Sequence, residues 1–124
     1  WNLDSILKMS QENKKNVFTI LQLRHLPNIT KLKNDEENSK IISDIDLTYI
    51  TGRGNWYYNS WKGDESKSGG ILLNIGIHFF DLLLWIFGDL EDIEIHVKRK
   101  EVCAGLLKLR NANVKWFLSV LLRN

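Results

Sequence analysis

Ser68-Gly-Gly-Ile-Leu-Leu-Asn74-Ile-Gly-Ile-His78-Phe-Phe-Asp81-Leu-Leu-Leu-Trp85-Ile-Phe-Gly88 is the stretch on which the reading of this chain turns. An α-helix over residues 69–87, at 100° per residue, brings Asn74, His78, Asp81 and Trp85 within roughly 60° of one another. Nearly every other position around it is Ile, Leu or Phe. A helix that is apolar all round is a buried one. A polar stripe on it then commits Asn, His and Asp to one internal wall, where unsatisfied polar groups are costly. The spacing predicts a buried helix whose Asn74, His78 and Asp81 open onto a cleft.

After Gly88 the period changes to two. Ile93, Ile95 and Val97 alternate with Glu94, His96 and Lys98; Leu107 and Leu109 with Lys108 and Arg110; Val114, Trp116, Leu118 and Val120 with Lys115 and Ser119. Three strands, each with one apolar face, predict an antiparallel meander covered by the helix, with a tight turn at Asn111-Ala-Asn113. Before the helix, Asn2–Asn13 reads as a short amphipathic helix and Val17–Leu23 as a buried strand, by its β-branched and apolar content. Pro27 opens a helix over Asn28–Asn34, and Asn34–Lys40 reads as a loop. Ile41–Tyr58 reads as a long strand interrupted at Gly52 and Gly54, and Lys62–Gly70 as a flexible loop feeding the helix. The fold class expected is α+β: a mainly antiparallel open sheet packed against one buried helix.

Composition narrows the functions. With 124 residues, 44% hydrophobic and 26% charged, the chain has the make-up of a soluble domain. A net charge of +2 without a basic, aromatic-interleaved stripe argues against a nucleic-acid partner. The single Cys103 excludes an internal disulfide and fits a reducing cytoplasm. The N-terminus has no basic segment followed by an apolar run, so no signal peptide is expected. Residues 69–88 are long enough to cross a bilayer, but Asn74, His78 and Asp81 near their middle argue against it, an Asp there costing about 2.5–3.5 kcal/mol. His78 and Asp81 lack a third ligand at zinc-like spacing, so no metal site is expected.

Gly52-Arg-Gly-Asn-Trp56-Tyr57-Tyr-Asn-Ser60-Trp61-Lys62-Gly-Asp-Glu-Ser-Lys67-Ser68-Gly69-Gly70, followed by Asn74-Ile-Gly76-Ile-His78-Phe-Phe-Asp81, resembles the Gfo/Idh/MocA oxidoreductase family. Within it, the resemblance is to bacterial dehydrogenases that oxidise C3 of UDP-N-acetylglucosamine or its glucuronic acid for lipopolysaccharide and O-antigen sugars. It extends more loosely from Trp1-Asn-Leu through Gln22-Leu-Arg24 to Val114-Lys-Trp116-Phe-Leu-Ser119. The resemblance implies that residues 1–24 are the last helix and strand of a Rossmann domain. It implies that 25–124 are most of a substrate and oligomerisation domain. Family members also carry a Gly-rich phosphate loop and a Glu-Lys-Pro motif with a catalytic lysine; this sequence contains neither, its only proline being Pro27. The chain is therefore expected to be a piece of a longer NAD(P)-dependent enzyme, and to bind no dinucleotide alone, since the pyrophosphate cradle is absent.

Oxidising a secondary alcohol needs a base for the hydroxyl proton and a group to steady the developing oxyanion. His78 is the best base present, because imidazole is the side chain type that exchanges protons near neutral pH. Asp81, at i+3, is expected to orient the imidazole, and Asn74 to hold a hydroxyl. Many relatives carry Asp at the position of Asn74, a departure that shifts the base role to His78 or to the absent lysine. Trp56, Tyr57 and Trp61 beside Lys62 and Lys67 fit a platform for a sugar and its diphosphate. Ser60, Ser68 and Gly69 complete the expected substrate loop. Arg24 is a candidate for a carboxylate or phosphate; Gln22 and Trp61 are the positions expected nearest a cofactor. Two functions stand at this point: a substrate domain of a UDP-amino-sugar dehydrogenase that works as a homo-oligomer, and a non-catalytic α+β module that retains the sheet for association.

Overall fold

A computed structural model describes residues 2–121. Trp1, the first residue of the expected 1–24 remnant, and residues 122–124 lie outside the described residues. In chain order the elements are α1 (Leu3–Glu12), a 3-10 turn (Gln22–His25), α2 (Pro27–Glu37), β1 (Ser43–Ile50) and α3 (Asn55–Asn59). A second 3-10 turn (Trp61–Gly63), α4 (Glu65–Ser68), a π-helical turn (Leu72–Gly76) and α5 (Ile77–Phe87) follow, then β2 (Leu90–Lys98), β3 (Val102–Leu109) and β4 (Ala112–Ser119).

The sheet has the order β1-β4-β3-β2. β2–β3 and β3–β4 are antiparallel, and β1 adds to β4 in parallel. The period-two pattern puts its apolar residues in register: Ile45, Val114, Leu107 and Ile93 form one row across the inner face, and Leu47, Trp116, Gly105 and Ile95 the next. Helix α5 lies on that face and buries Leu83, Ile86 and Phe87 with Val114, Leu118 and Leu109. Full burial of such a side chain contributes about 1.5–3 kcal/mol, which makes this layer the main stabilising element. Trp116 lies over Gly105, where an added Cβ would sit 2.7 Å from the indole, and meets Phe80 edge-on at 5.3 Å between ring centroids. Asn111 donates its backbone N–H to the Phe87 carbonyl at 3.0 Å, pinning the end of α5 to the β3–β4 hairpin.

The mainly antiparallel α+β architecture is as expected, and several local expectations are corrected. Val17–Leu23 is not a strand: only its end, from Gln22, is regular, as a 3-10 turn. Val17, Phe18 and Ile20 are 60%, 81% and 79% exposed, because no parallel sheet lies beside them. Helix α2 runs on to Glu37, through much of the expected loop, supported by Lys31–Asp35 and Lys33–Glu37 pairs at i, i+4. The long strand ends at Ile50, and Asn55–Asn59 turns into α3. The hairpin turn falls at Arg110–Asn111, one residue earlier than the sequence suggested, with Leu109 paired to Ala112.

The central helix also differs. Gly69 and Gly70 take φ +74° and +72°, so the right-handed helical backbone follows them, and five residues of the helix are π-helical. It is not buried all round: Leu73, Ile77 and Leu84 are exposed. The run Glu65–Phe87 meets the length and apolarity of a membrane span, yet its opposite face is core against the sheet.

Candidate functional site

Seven segments converge on one cleft of about 310 Å³. The π turn supplies Asn74 and Ile75, and the first turn of α5 supplies His78 and Phe79. The end of β1 gives Tyr49, the Gly52–Gly54 loop gives Arg53, α3 gives Trp56 and Tyr57, and the second 3-10 turn gives Lys62. Gln22 and Leu23 close it from the N-terminal side. A short helix at 55–59 is what turns the aromatic run back toward the central helix. Tyr58 anchors α3 by donating its hydroxyl to the Val120 carbonyl at 3.3 Å, and burial holds that phenol above the ordinary tyrosine range. Tyr57 is 5% exposed and packs edge-on against Trp56 and Tyr58.

The charge of the cleft has one sign. Arg53 and Lys62 line it, and no Asp or Glu does. The Arg53 guanidinium carbon lies 5.7 Å from the centre of the Tyr57 ring. The Lys62 ammonium sits 5.9 Å from the Trp56 ring and 5.8 Å from that of Trp61. Three side chains of the cleft each carry an enclosed polar atom with no partner in the fold: Arg53 Nε, Asn74 Nδ2 and His78 Nδ1. Buried polar atoms are otherwise almost always paired, and leaving one unmet costs about 1–3 kcal/mol. Three in one cleft leave hydrogen-bonding capacity there that the fold itself does not use.

Asp81 does not orient His78. It faces the neighbouring Arg24, whose Nε donates to Oδ2 at 2.6 Å and whose Nη2 donates to Oδ1. The guanidinium also lies 5.6 Å from the Trp85 ring. These hydrogen bonds hold Arg24 above its ordinary range, against the opposing effect of burial. Both residues stand outside the cleft, so the expected ligand contact of Arg24 and the expected support from Asp81 give way to a tether between the 3-10 turn and α5.

The other expected residues divide. Gln22, Trp56, Tyr57, Lys62, Asn74 and His78 line the cleft, and Trp61 stands at its rim through Lys62. Ser60 accepts from the Lys62 N–H and donates to the Tyr57 carbonyl at 2.9 Å, which shapes the turn. Lys67 pairs with Asp64 at 3.1 Å. Ser68 is buried, donating to the Asp64 carbonyl and accepting from the Gly70 N–H. A Cβ on Gly69 would collide with Leu73 at 2.4 Å. Lys67, Ser68 and Gly69 therefore build the helix entry and do not line the cleft. Among the described residues no three potential metal ligands cluster.

Arg53, Tyr49 and Phe79 are cleft residues that the sequence reading left out. A signal for Arg53 exists: Ile45, Leu47 and Tyr49 face inward, and the same odd-numbered parity carried past the strand end reaches Arg53.

A mixed sheet with one interrupted helix across it and a cationic cleft at the helix N-terminal half defines an α/β domain. Residues 41–120 match the Gfo/Idh/MocA family, described as "Oxidoreductase family, C-terminal alpha/beta domain", and the chain belongs to that family. It is similar to the WlbA (WbpB) dehydrogenase from Thermus thermophilus, solved with NAD and alpha-ketoglutarate and with NAD and UDP-GlcNAcA. The identity is 47% and the TM-score 0.85, covering 94% of this chain and 38% of that one. The fold also matches the WlbA dehydrogenase from Bordetella pertussis in complex with NADH and UDP-GlcNAcA, at 21% identity and a TM-score of 0.78, over 94% of this chain and 37% of that one. The chain thus spans less than two-fifths of the length of these relatives.

Proposed function

We propose that this chain forms the substrate-binding part of an NAD-dependent dehydrogenase that oxidises a hydroxyl of a nucleotide sugar, the C3 hydroxyl of a UDP-N-acetylamino sugar. The observation that carries the reading is the meeting of His78 and Asn74 in a cleft whose only charges are Arg53 and Lys62. The similar Thermus dehydrogenase is solved with NAD and a UDP-sugar acid, and separately with alpha-ketoglutarate; both of those ligands carry a carboxylate. Residues 1–24 are then the tail of a nucleotide-binding domain and 25–124 the substrate domain. The setting is bacterial lipopolysaccharide or O-antigen sugar synthesis, and the lone buried thiol of Cys103 suits a cytoplasmic protein.

In that reaction the carbinol carbon gives up hydride and the hydroxyl gives up a proton. NAD, when bound, accepts the hydride. The residues here fit its reacting end, since Gln22 offers an amide on the same cleft as His78; the pyrophosphate loop is not in this sequence. His78 Nδ1 is enclosed without a partner, so Nε2 is the ring nitrogen that takes the hydroxyl proton. Asn74 holds the hydroxyl through its amide and cannot take the proton. Lys62, between two indoles, neutralises the diphosphate at the rim, where Trp56 and Trp61 are more than half exposed and offer faces for stacking.

The test is NADH formation from UDP-GlcNAcA by the full-length protein. His78→Ala should lower turnover about a hundredfold with a small change in KM. A full-length protein indifferent to that change would remove His78 from the chemistry. Association is part of the same reading: the sheet's outer face carries a groove of about 470 Å³ along Asp44, Asp46, Lys115, Leu106 and Lys108. An open sheet face of this kind suits a second copy of the protein.

A further inference from the structure

We infer that Arg53 reads the carboxylate of a sugar acid, and so decides between the uronate and the neutral form of the nucleotide sugar. The inference rests on the nucleotide-sugar reading above and deepens it. It starts from the two cations of the cleft, which differ in their neighbours and in chemistry. Lys62 is a mobile point charge at the mouth, flanked by tryptophans that are 56% and 57% exposed. That place and that head group suit a diphosphate, which is tetrahedral at phosphorus and indifferent to approach angle.

Arg53 is half-buried, as Lys62 is, but has different surroundings. Its Nε is enclosed and unpartnered, and its guanidinium lies against Tyr57, which is itself 5% exposed. A guanidinium is planar and presents parallel N–H donors, the geometry that matches a planar carboxylate. Among the described residues the other arginines with a carboxylate at hand use it: Arg24 is held by Asp81 and Arg110 by Asp89. Among the described residues Arg53 has no carboxylate within 4.0 Å, and none lines the cleft. A folded chain that places a cation half in its interior without a counter-charge has left that charge for a ligand.

The position also fits the substrate's dimensions in kind. His78 and Asn74 lie on the central helix, and Arg53 lines the same cleft from the loop that ends β1. A pyranose ring held with one hydroxyl at His78 offers the substituent of its C5 to another wall. In a uronate that substituent is anionic and planar; in the parent hexose it is a neutral hydroxymethyl. A site with a half-buried, unpaired cation gains no counter-charge when it takes the second, so it discriminates against it.

The experiment is calorimetric binding of UDP-GlcNAcA, UDP-GlcNAc and UDP to the full-length protein, with turnover measured in parallel. Wild type should prefer the uronate over the neutral sugar by about 30-fold or more. Arg53→Met should abolish the preference by weakening the uronate alone, with UDP changed by less than about threefold. Arg53→Lys, which keeps the charge and loses the fork, should retain part of it, and guards against a misfolded Met variant. A wild type that binds both sugars equally overturns the inference. So does an Arg53→Met variant that weakens UDP as much as the uronate, which would put Arg53 on the diphosphate. A uronate preference without any turnover would sink the dehydrogenase reading and leave the role of Arg53 standing.

Discussion

Arg24 and Asp81 hold one another by a two-toothed ion pair across 57 residues of sequence, outside the cleft and one helical turn from His78. The pair joins the 3-10 turn that carries Gln22 to the helix that carries His78, with Trp85 against the guanidinium. Its place makes it a positioning device for the wall of the cleft.

Removing both partners should therefore cost less than the sum of the two single removals. Asp81 is only 15% exposed in its side chain, while Arg24 is 37% exposed. Arg24→Ala should destabilise the protein by about 1–2 kcal/mol, less than the loss from a fully buried pair because the guanidinium is part solvated. A urea-unfolding cycle with Asp81→Ala should show a coupling of about 1 kcal/mol. Strict additivity of the two single changes would mean that the pair does not hold the turn to the helix.

The two glycines under the aromatic layer should not tolerate a methyl group. A Cβ on Gly76 falls 2.7 Å from Phe80 and 3.1 Å from Leu118; one on Gly105 falls 2.0 Å from the Glu94 carbonyl and 2.7 Å from Trp116. Gly76→Ala meets side chains that can shift and should cost about 1–3 kcal/mol. Gly105→Ala meets backbone on an adjacent strand and should cost more, with loss of cooperative thermal unfolding. Equal melting temperatures for the two variants would contradict this packing.

Acid should loosen the helix entry before it unfolds the sheet. Asp64 accepts hydrogen bonds from Ser66 at 2.7 and 3.1 Å and pairs with Lys67, which together hold its carboxyl below the usual range. A carboxyl lowered in the folded state stabilises it at pH values above the unfolded carboxyl range. That contribution is lost as pH falls through the folded value. Asn at this position still caps a helix but does not titrate. Asp64→Asn should flatten the acid limb of a stability–pH curve, and superimposable limbs would exclude Asp64 as a contributor.

The exposed segment Val17-Phe-Thr-Ile20 should make the 124-residue chain associate. Its apolar side chains stand open and its backbone lies in no sheet, the combination that recruits another strand. Light scattering after size exclusion should show self-association that weakens in a Phe18→Lys, Ile20→Lys variant. A chain that stays monomeric at all concentrations would rule this out.

How far the sequence could be read depended on whether the partner that fixes each element lies in the chain. β2, β3 and β4 were legible because their period-two faces pair with one another. Val17–Leu23 has the composition of a strand, yet its expected partners are absent from the sequence, and composition cannot outweigh missing hydrogen bonds. Trp56-Tyr57-Tyr58 favours strand by propensity and became helix through packing against Ile71 and the end of β4. At the site, the polar stripe of the central helix led correctly to the shared cleft of Asn74 and His78. Asp81 has the same angular position by the α-helical rule but belongs to Arg24, a partner 57 residues away that periodicity does not reveal. Arg53 lay in the quoted motif between two glycines, where nothing about its residue type alone separated a cleft cation from a surface one.

The π turn at Leu72–Gly76 sets a phase relation along the helix. Such a turn amounts to one residue beyond the α-helical count. Deleting that residue would rewind everything on one side by about 100° and draw it in by about 1.5 Å. The Gly69–Gly70 entry and the His78 half of the helix are therefore indexed to each other like two dials on one shaft, and the extra residue is the offset between them. Lengthening or shortening the loop before Gly69 leaves that offset untouched, whereas deleting Leu72 or Leu73 would turn His78 away from Lys62 without removing any residue of the cleft.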